Sequence, residues 1–115
     1  METITKKVLQ AFIKHCNAIE DTIEYFGLDY VDFKDNIIYQ NAILTPVIQI
    51  GELVKRLPDS FRIKHTEIPW RNIAGMRAVL VHNYETLDKV ILWNVANKEI
   101  PKIKTFCVNI LEEEA

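Results

Sequence analysis

The amino-acid sequence predicts an all-α fold, a bundle of about five helices in a single domain that spans residues 1–115. A chain of 115 residues suits one compact domain and is too short for two ordinary ones. Only 3 Gly and 4 Pro are present, and this scarcity of turn-forming residues favours a few long helices over a many-turned β sandwich. Apolar residues also recur at steps of three and four along most of the chain, which is the spacing of helices with one buried face.

Two long helices are predicted in the first half of the chain. The first is expected from about Thr5 to Phe26, and Gly27 is suited to end it. Its apolar stripe is formed by Leu9, Phe12, Cys16, Ile19, Ile23 and Phe26. The second is expected from about Asn36 to Leu57, and because its apolar spacing continues across Pro46, we expect a kink there rather than a break. This helix has two apolar stripes, Ile43, Val47, Ile50, Val54 and Leu57 on one side and Ile37, Leu44 and Ile48 on the other. Two stripes predict burial on two sides, in the centre of a bundle or at a dimer interface.

The second half of the chain is predicted to form one loop and three shorter helices. Residues 58–68 are expected to be the only extended loop, polar and basic in its middle. Pro69 can open a third helix that runs to about His82, in which Gly75 is expected to permit close approach of another helix. Thr86 can cap a fourth helix that runs to about Asn94, and Pro101 can open a fifth.

Charge, cysteines and the N-terminus restrict the class of protein. The formal net charge is −2, so any contact with RNA has to come from a local basic patch. Cys16 and Cys107 belong to no metal-binding spacing and fall within apolar helical patterns, which predicts buried, reduced thiols. The N-terminus has no apolar leader, and no apolar run approaches the roughly 20 residues needed to cross a bilayer, so we expect a cytoplasmic protein.

The segment that could carry chemistry is IPWRNIAGMRAVLVHNY, at residues 68–84. It contains Arg77, His82 and Tyr84 in the arrangement R-x4-H-x-Y. On an ideal helix Arg77 and His82 would project about 140° apart and about 7.5 Å apart along the axis. The two side chains can therefore share a site only if the helix loosens near His82, or if two copies of the chain pool their Arg and His in one cleft.

A cleft that holds Arg and His suits RNA cleavage without a metal ion. A neutral His can take the proton from a ribose 2′-OH near physiological pH, and Arg can stabilise the charge that builds on the phosphate oxygens. The sequence signals no metal site and no cofactor. Residue types alone nevertheless favour a simpler interpretation, in which Arg77 lies on a solvated helix face and His82 is satisfied by a backbone carbonyl.

The motif resembles the signature region of the HepT-like HEPN proteins, whose consensus is similar to I-P-W-R-x-I-A-G-M-R-N-x-L-V-H-x-Y. The stretch IGELVKRLP at residues 50–58 is also similar to an I-G-E-A-x-K-x-L-P stretch of that family. The resemblance covers nearly the whole chain. It implies an up-and-down HEPN helical bundle that forms a homodimer, with a ribonuclease site in the dimer cleft.

The resemblance also implies roles for single residues and a partner. Arg77 would hold the phosphate and His82 would be the base. Tyr84 would be AMPylated by an MntA-type minimal nucleotidyltransferase, the antitoxin of a toxin–antitoxin pair, and the added AMP would block RNA from the cleft. Glu52 is expected to support the site by pairing with an arginine, and Arg71 to line the cleft entrance, although a solvated surface role suits both residues as well.

The sequence departs from the family at the position directly after the motif arginine, where Asn or Asp is common. Here the residue is Ala78, which can neither orient Arg77 nor bind a phosphate. Ala78 favours a second hypothesis, a non-catalytic HEPN protein that binds a nucleotidyltransferase and a nucleotide. A third hypothesis is a structural helical dimer without a ligand.

Two further groups of side chains carry weaker signals. Arg62, Lys64 and His65 form a small basic patch in the predicted loop, which could contact RNA or could serve solubility alone. Trp70 and Trp93 could stack on bases, but tryptophan in an amphipathic helix is more often part of the core, and we expect core positions for both.

Overall fold

A computed structural model describes residues 1–83 and 86–114 of the chain, and for His82 and Asn83 it describes the backbone alone. Over these residues the predicted all-α class is confirmed, since helices form most of the chain and the described strands form one small antiparallel pair. The elements are α1 (Thr3–Phe26), α2 (Tyr30–Lys34), α3 (Ile37–Val54), α4 (Asp59–Lys64), α5 (Trp70–Ala74), α6 (Met76–Leu80), β1 (Val81–Asn83), β2 (Thr86–Leu87), α7 (Lys89–Asn94), a π-helical segment (Val95–Glu99) and α8 (Ile100–Glu113).

The main core lies along α1, which packs against both α3 and α8. The predicted stripe of α1 is confirmed, since its buried residues include Leu9, Phe12, Cys16, Ile19 and Ile23. The helix ends at Phe26, and Gly27 follows with a φ of 133°, a conformation that favours glycine. Cys16 and Cys107 are buried and unbridged, as expected, and burial raises the pKa of each thiol to about 12.

The helix α3 runs through Pro46 without a break, so the prediction of one continuous helix is confirmed. One apolar stripe is buried in the core, whereas on the other side Ile37 is exposed and Leu44 and Ile48 are only half-buried. Among the described helices, α3 is the one long and apolar enough to cross a bilayer by length and composition. Half of it is buried inside the bundle, which is also typical of the core helix of a folded domain.

The prediction of one extended loop over residues 58–68 is wrong, because α4 occupies the first part of this region, from Asp59 to Lys64. Its Phe61 ring packs against Trp70 and Phe106, with ring centroids 6.1 and 6.3 Å away. Both partners lie outside residues 58–68, so the local pattern of this short polar segment gives no sign of the helix that they stabilise.

The predicted third helix is shorter than expected and is divided in two. It breaks at Gly75 into α5 and α6, and it ends at Leu80 rather than at His82. Glycine in a helix is less favourable than alanine by about 1 kcal/mol, which suits a boundary at Gly75. Beyond Leu80 the chain is extended, because Val81 pairs with Leu87 and the backbone N–H of Asp88 donates to the Leu80 oxygen at 2.8 Å.

The predicted start of the fourth helix needs correction, whereas the fifth, α8, has Pro101 in its first turn, as expected. Asp88 rather than Thr86 caps α7, since its carboxylate accepts from the backbone N–H of Ile91 at 3.1 Å, and Thr86 belongs to β2. The chain then continues from α7 into α8 through the π-helical segment, without a break before Pro101. Pro101 has no backbone N–H, so a regular α-helix would lack one hydrogen bond at this residue. The π-helical segment ends just before it.

Candidate functional site

Gly51 determines how closely α3 approaches α5. A Cβ atom at Gly51 would lie 2.8 Å from the backbone oxygen of Ile73, so a side chain has no room there. Gly75 was expected to have this role, but the atom nearest to a Cβ at Gly75 is the Arg71 oxygen of its own turn, at 3.4 Å. The close packing that brings α5 and α6 beside the end of α3 therefore depends on Gly51.

A groove opens where the C-terminal end of α3 faces α5 and α6. We call it the Arg77 groove. It has a volume of about 530 Å³ and is lined by Glu52, Lys55, Ala74, Gly75, Arg77, Ala78 and Val81. Arg77 is exposed and makes no hydrogen bond or ion pair with any residue that the structure describes. Its guanidinium is therefore available to a ligand in the groove.

Glu52 lies on the opposite wall of the Arg77 groove. It pairs with Lys55, with 3.4 Å between the Lys55 Nζ and a carboxylate oxygen, rather than with the arginine expected from the sequence. Both side chains are more than half exposed, so this ion pair contributes about 0–1 kcal/mol at most. Lys55 was not singled out from the sequence, although it lies three residues after Glu52, a spacing that puts two helical residues on one face. The groove holds two cations and one carboxylate.

The backbone leaves the helical path between Arg77 and His82. The helix α6 ends at Leu80, Val81 has a φ of −117° and a ψ of 101°, and residues 81–83 form β1. The separation that Arg77 and His82 would have on an ideal helix therefore does not apply. This is the first of the two alternatives given for the motif, in which the helix loosens near His82. The side chain of His82 and all of Tyr84 lie outside the described residues, so their places in the site stay predictions.

A second groove adjoins the first. We call it the Arg71 groove. It has a volume of about 500 Å³ and is lined by Asp59, Arg62, Ile63, Thr66, Trp70, Arg71 and Ala74. Ala74 lines both grooves, so the two adjoin at this residue of α5. Arg71 is exposed and, within the described part of the chain, has no hydrogen-bond or ion-pair partner, whereas Arg62 pairs with Asp59.

The basic patch expected from Arg62, Lys64 and His65 is divided between two surfaces. Lys64 and His65 line a different cavity, of about 370 Å³, beside the start of α1 and the end of α8. The Nδ1 atom of His65 is 3.5 Å from a carboxylate oxygen of Glu67, and its ring packs against two phenylalanine rings. Neither here nor elsewhere in the described residues does a group of three or more His, Cys, Asp or Glu side chains lie close enough to hold a metal ion.

The two tryptophans occupy core positions, as expected. Trp70 is buried and its Nε1 donates to the backbone oxygen of His65 at 2.8 Å. Trp93 is half-buried and packs against the rings of Phe33 and Tyr39. Trp70 nevertheless also lines the Arg71 groove.

Comparison with known proteins gives the same family as the motif. The family model described as "Ribonuclease HepT-like" matches residues 15–110. A protein named "Putative RNase" from Caldanaerobacter subterraneus subsp. tengcongensis is 34% identical over 106 residues, which are 92% of this chain and 93% of that protein. Another "Putative RNase", from Methanocaldococcus jannaschii, is 34% identical over 110 residues, or 94% of this chain and 95% of that protein.

A third relative has a more specific name. It is a "Probable ribonuclease HepT" from Thermococcus cleftensis, 37% identical over 75 residues, which are 65% of this chain and 68% of that protein. No solved structure matches the chain significantly. The family model and the relatives agree, and the chain belongs to the HepT-like ribonuclease family.

Proposed function

We propose that this chain is an endoribonuclease that cleaves RNA without a metal ion and is the toxin subunit of a pair with a minimal nucleotidyltransferase. The observation that carries the proposal is the free guanidinium of Arg77, which lines the same groove as Lys55. Two cations at one groove attract a phosphodiester, and Arg can donate two parallel hydrogen bonds to its oxygens. Membership of the HepT-like family supports the same class of activity.

In the proposed reaction, the neutral imidazole of His82 takes the proton from a ribose 2′-OH. The 2′-oxygen attacks the adjacent phosphorus, and the bond from phosphorus to the 5′-oxygen breaks. The leaving 5′-oxygen takes its proton from the protonated His82 or from water, which gives a 2′,3′-cyclic phosphate and a 5′-OH. Arg77 stabilises the negative charge that builds on the phosphate oxygens during this step.

The proposal includes a homodimer, and the less buried stripe of α3 is the candidate interface. Ile37, Leu44 and Ile48 follow one another at steps of seven and four, so they lie on one side of the helix. Ile37 is 68% exposed, and the other two are only half-buried. Glu52 follows four residues after Ile48 and lines the Arg77 groove. A second copy on this stripe would border the groove and could bring a second Arg and His to it.

The test of the ribonuclease is cleavage of a short RNA by the purified protein in the presence of a metal chelator. We expect a 2′,3′-cyclic phosphate product, no cleavage by His82→Ala, and no cleavage where the attacking 2′-OH is replaced by hydrogen. Lys34→Ala is the matched control, because Lys34 is exposed on α2 and its backbone oxygen is bound by Gln40, near the start of α3 and away from the groove. Equal rates for the wild type and His82→Ala would remove His82 from the mechanism.

The proposed regulation is AMPylation of Tyr84 by the nucleotidyltransferase. Tyr84 follows His82 by two residues, so an attached AMP would add bulk and negative charge near the imidazole and repel RNA. Incubation with the partner and ATP, followed by peptide mass spectrometry, is expected to locate AMP on Tyr84, with none on Tyr84→Phe. Modified protein that still cleaves RNA at the unmodified rate would contradict this regulation.

Ala78 supports a second candidate, a non-catalytic protein that binds a nucleotidyltransferase and a nucleotide. Ala78 is exposed in the Arg77 groove, where it offers no hydrogen bond to a phosphate or to Arg77. The variant Ala78→Asn restores a polar side chain at this position. A higher cleavage rate for Ala78→Asn than for the wild type would favour the ribonuclease. Modification at Tyr84 with no cleavage by either protein would favour the second candidate.

A further inference from the structure

We infer that the Arg71 groove binds the part of a single-stranded RNA that extends beyond the cleaved bond, so that the strand runs from the Arg77 groove across Ala74 into the Arg71 groove. This inference rests on the proposed ribonuclease function. The two grooves share Ala74 as a wall, and because its side chain is a single methyl group, it is a small obstacle to a strand that passes from one groove to the other. Arg71 lies in α5 and Arg77 in α6, on either side of the break at Gly75, and each lines a groove that Ala74 borders, so one strand that crosses Ala74 can contact both.

The arginines of the chain are concentrated at these two grooves. All four lie within residues 56–77, and three of them, Arg62, Arg71 and Arg77, line the grooves. Together the walls hold four basic side chains and two acidic ones, although the whole chain has a net charge of −2. A protein of negative net charge needs such a local basic surface to bind a polyanion, and the planar fork of arginine suits phosphate.

The Arg71 groove has free donors for a phosphate. Arg71 is exposed and unpaired among the described residues. Arg62 pairs with Asp59, but its Nε is buried and has no hydrogen-bond partner in the described part of the chain. A buried donor without a partner is unfavourable, so movement of Arg62 toward an RNA phosphate would satisfy a group that is now unsatisfied.

The same groove has an apolar surface for a base. Ile63 lines this groove and is 74% exposed, and Trp70 lines it as well. An unpaired base can turn toward such a surface, whereas a base within an RNA duplex is stacked and paired and cannot. The combination of arginines with an exposed apolar surface therefore favours a single strand over a duplex.

The test compares two single-stranded RNA substrates, a dinucleotide that occupies the Arg77 groove alone and a decamer that reaches both grooves. The measured quantity is the ratio of kcat/KM for the decamer to kcat/KM for the dinucleotide. We expect Arg71→Glu to lower this ratio about tenfold, because one charge-assisted contact to phosphate is lost. Lys34→Glu makes the same change of charge on α2, outside both grooves, and is expected to leave the ratio unchanged.

A gain of affinity provides the second part of the test. Asp59→Asn removes a negative charge from the Arg71 groove and the ion-pair partner of Arg62, so the ratio is expected to rise about threefold.

Binding is measured separately with a fluorescent decamer in which every ribose is 2′-O-methylated and therefore uncleavable. In this assay Arg71→Glu is expected to weaken the dependence of log Kd on log salt by about 0.7, the value for one phosphate contact on a single strand.

The results distinguish a failure of this inference from a failure of the ribonuclease function on which it rests. If the wild type cleaves both substrates and Arg71→Glu leaves the ratio unchanged, the inference is overturned and the ribonuclease stands. If the wild type cleaves neither substrate but binds the decamer in an Arg71-dependent manner, the ribonuclease is overturned and the RNA-binding groove is supported. Absence of any binding to the decamer overturns the inference, and duplex binding as tight as single-strand binding overturns the preference for a single strand.

Discussion

The core formed by α1, α3 and α8 differs sharply from the motif segment, residues 70–87. The three core helices have 24, 18 and 14 residues and bury continuous apolar stripes. In the motif segment α5, α6, β1 and β2 are only two to five residues long, and the consecutive residues Arg77, Ala78 and Val79 are all exposed. The comparison teaches that the residues that stabilise the fold and the proposed site are largely separated in this protein. The core helices bury continuous apolar stripes, whereas the motif segment buries Trp70, Ile73 and Leu80. It leaves Arg77 exposed and unpaired among the described residues.

Truncation of a core ring has the largest expected effect on stability. Phe12 is fully buried, so Phe12→Ala is expected to lower the free energy of unfolding by about 3–5 kcal/mol. Val79 of the motif segment is 48% exposed, and Val79→Ala is expected to change the free energy of unfolding by less than about 0.5 kcal/mol. Urea denaturation of both variants measures the difference. Similar losses for the two would show that the motif segment is packed as tightly as the core.

The stability of the protein at alkaline pH tests whether the thiols of Cys16 and Cys107 are as deeply buried in the core as the comparison requires. Burial raises the pKa of Cys16 and of Cys107 from 9.0 to about 12, so the folded protein keeps protons that the unfolded chain releases above pH 9.0. The stability that these thiols contribute is therefore present below pH 9.0 and is lost as the pH rises toward about 12. We expect a slope of up to about 1.4 kcal/mol per pH unit for each thiol in urea titrations.

The control for this experiment is Cys107→Ala, which should start from a lower stability but lose it less steeply with pH. A folded protein whose thiols react with a disulfide reagent at the rate of the unfolded chain would contradict their enclosure. An identical pH slope in the wild type and Cys107→Ala would assign the alkaline loss to other groups, such as Tyr39, whose pKa burial also raises to about 12.

The contact between the two regions is tested by a pair of glycine variants with a smaller expected effect. Gly51→Ala places a Cβ 2.8 Å from the Ile73 oxygen and is expected to cost about 1–3 kcal/mol of stability. Gly75→Ala meets its nearest atom at 3.4 Å in its own turn, so its effect is expected within about 1 kcal/mol of zero, in either direction. Thermal unfolding of the two variants makes the comparison. A larger loss for Gly75→Ala would show that the break between α5 and α6, and not the approach of α3, limits the space in this region.

The long helices could be predicted because a stripe of buried residues leaves a regular pattern in the sequence. The stripe of α1 and the continuity of α3 through Pro46 are examples. The short elements could not be predicted, because each is stabilised by residues that lie outside its own stretch of sequence. The helix α4 relies on rings from other elements, and the end of α6 relies on the pairing of β1 with β2.

The candidate site could be predicted only in part, because some of its residues belong to a sequence motif and others come together only through packing. The motif singled out Arg77 and the IGELVKRLP stretch singled out Glu52, and the structure brings both to one groove. The contribution of Lys55 and the adjoining Arg71 groove were missed, because they arise from packing between α3, α4 and α5. The clustering of all four arginines within residues 56–77 is the sequence signal that could have indicated a wider basic surface.

The most direct measurement is the initial rate of RNA cleavage by Arg77→Ala compared with that of the wild type and of Lys34→Ala. Because Arg77 is exposed and unpaired among the described residues, its removal should leave the urea midpoint unchanged while the cleavage rate falls about 100-fold. Lys34→Ala should keep both the midpoint and the rate. A rate for Arg77→Ala equal to that of the wild type would contradict the claim that this free guanidinium acts on the phosphate of RNA.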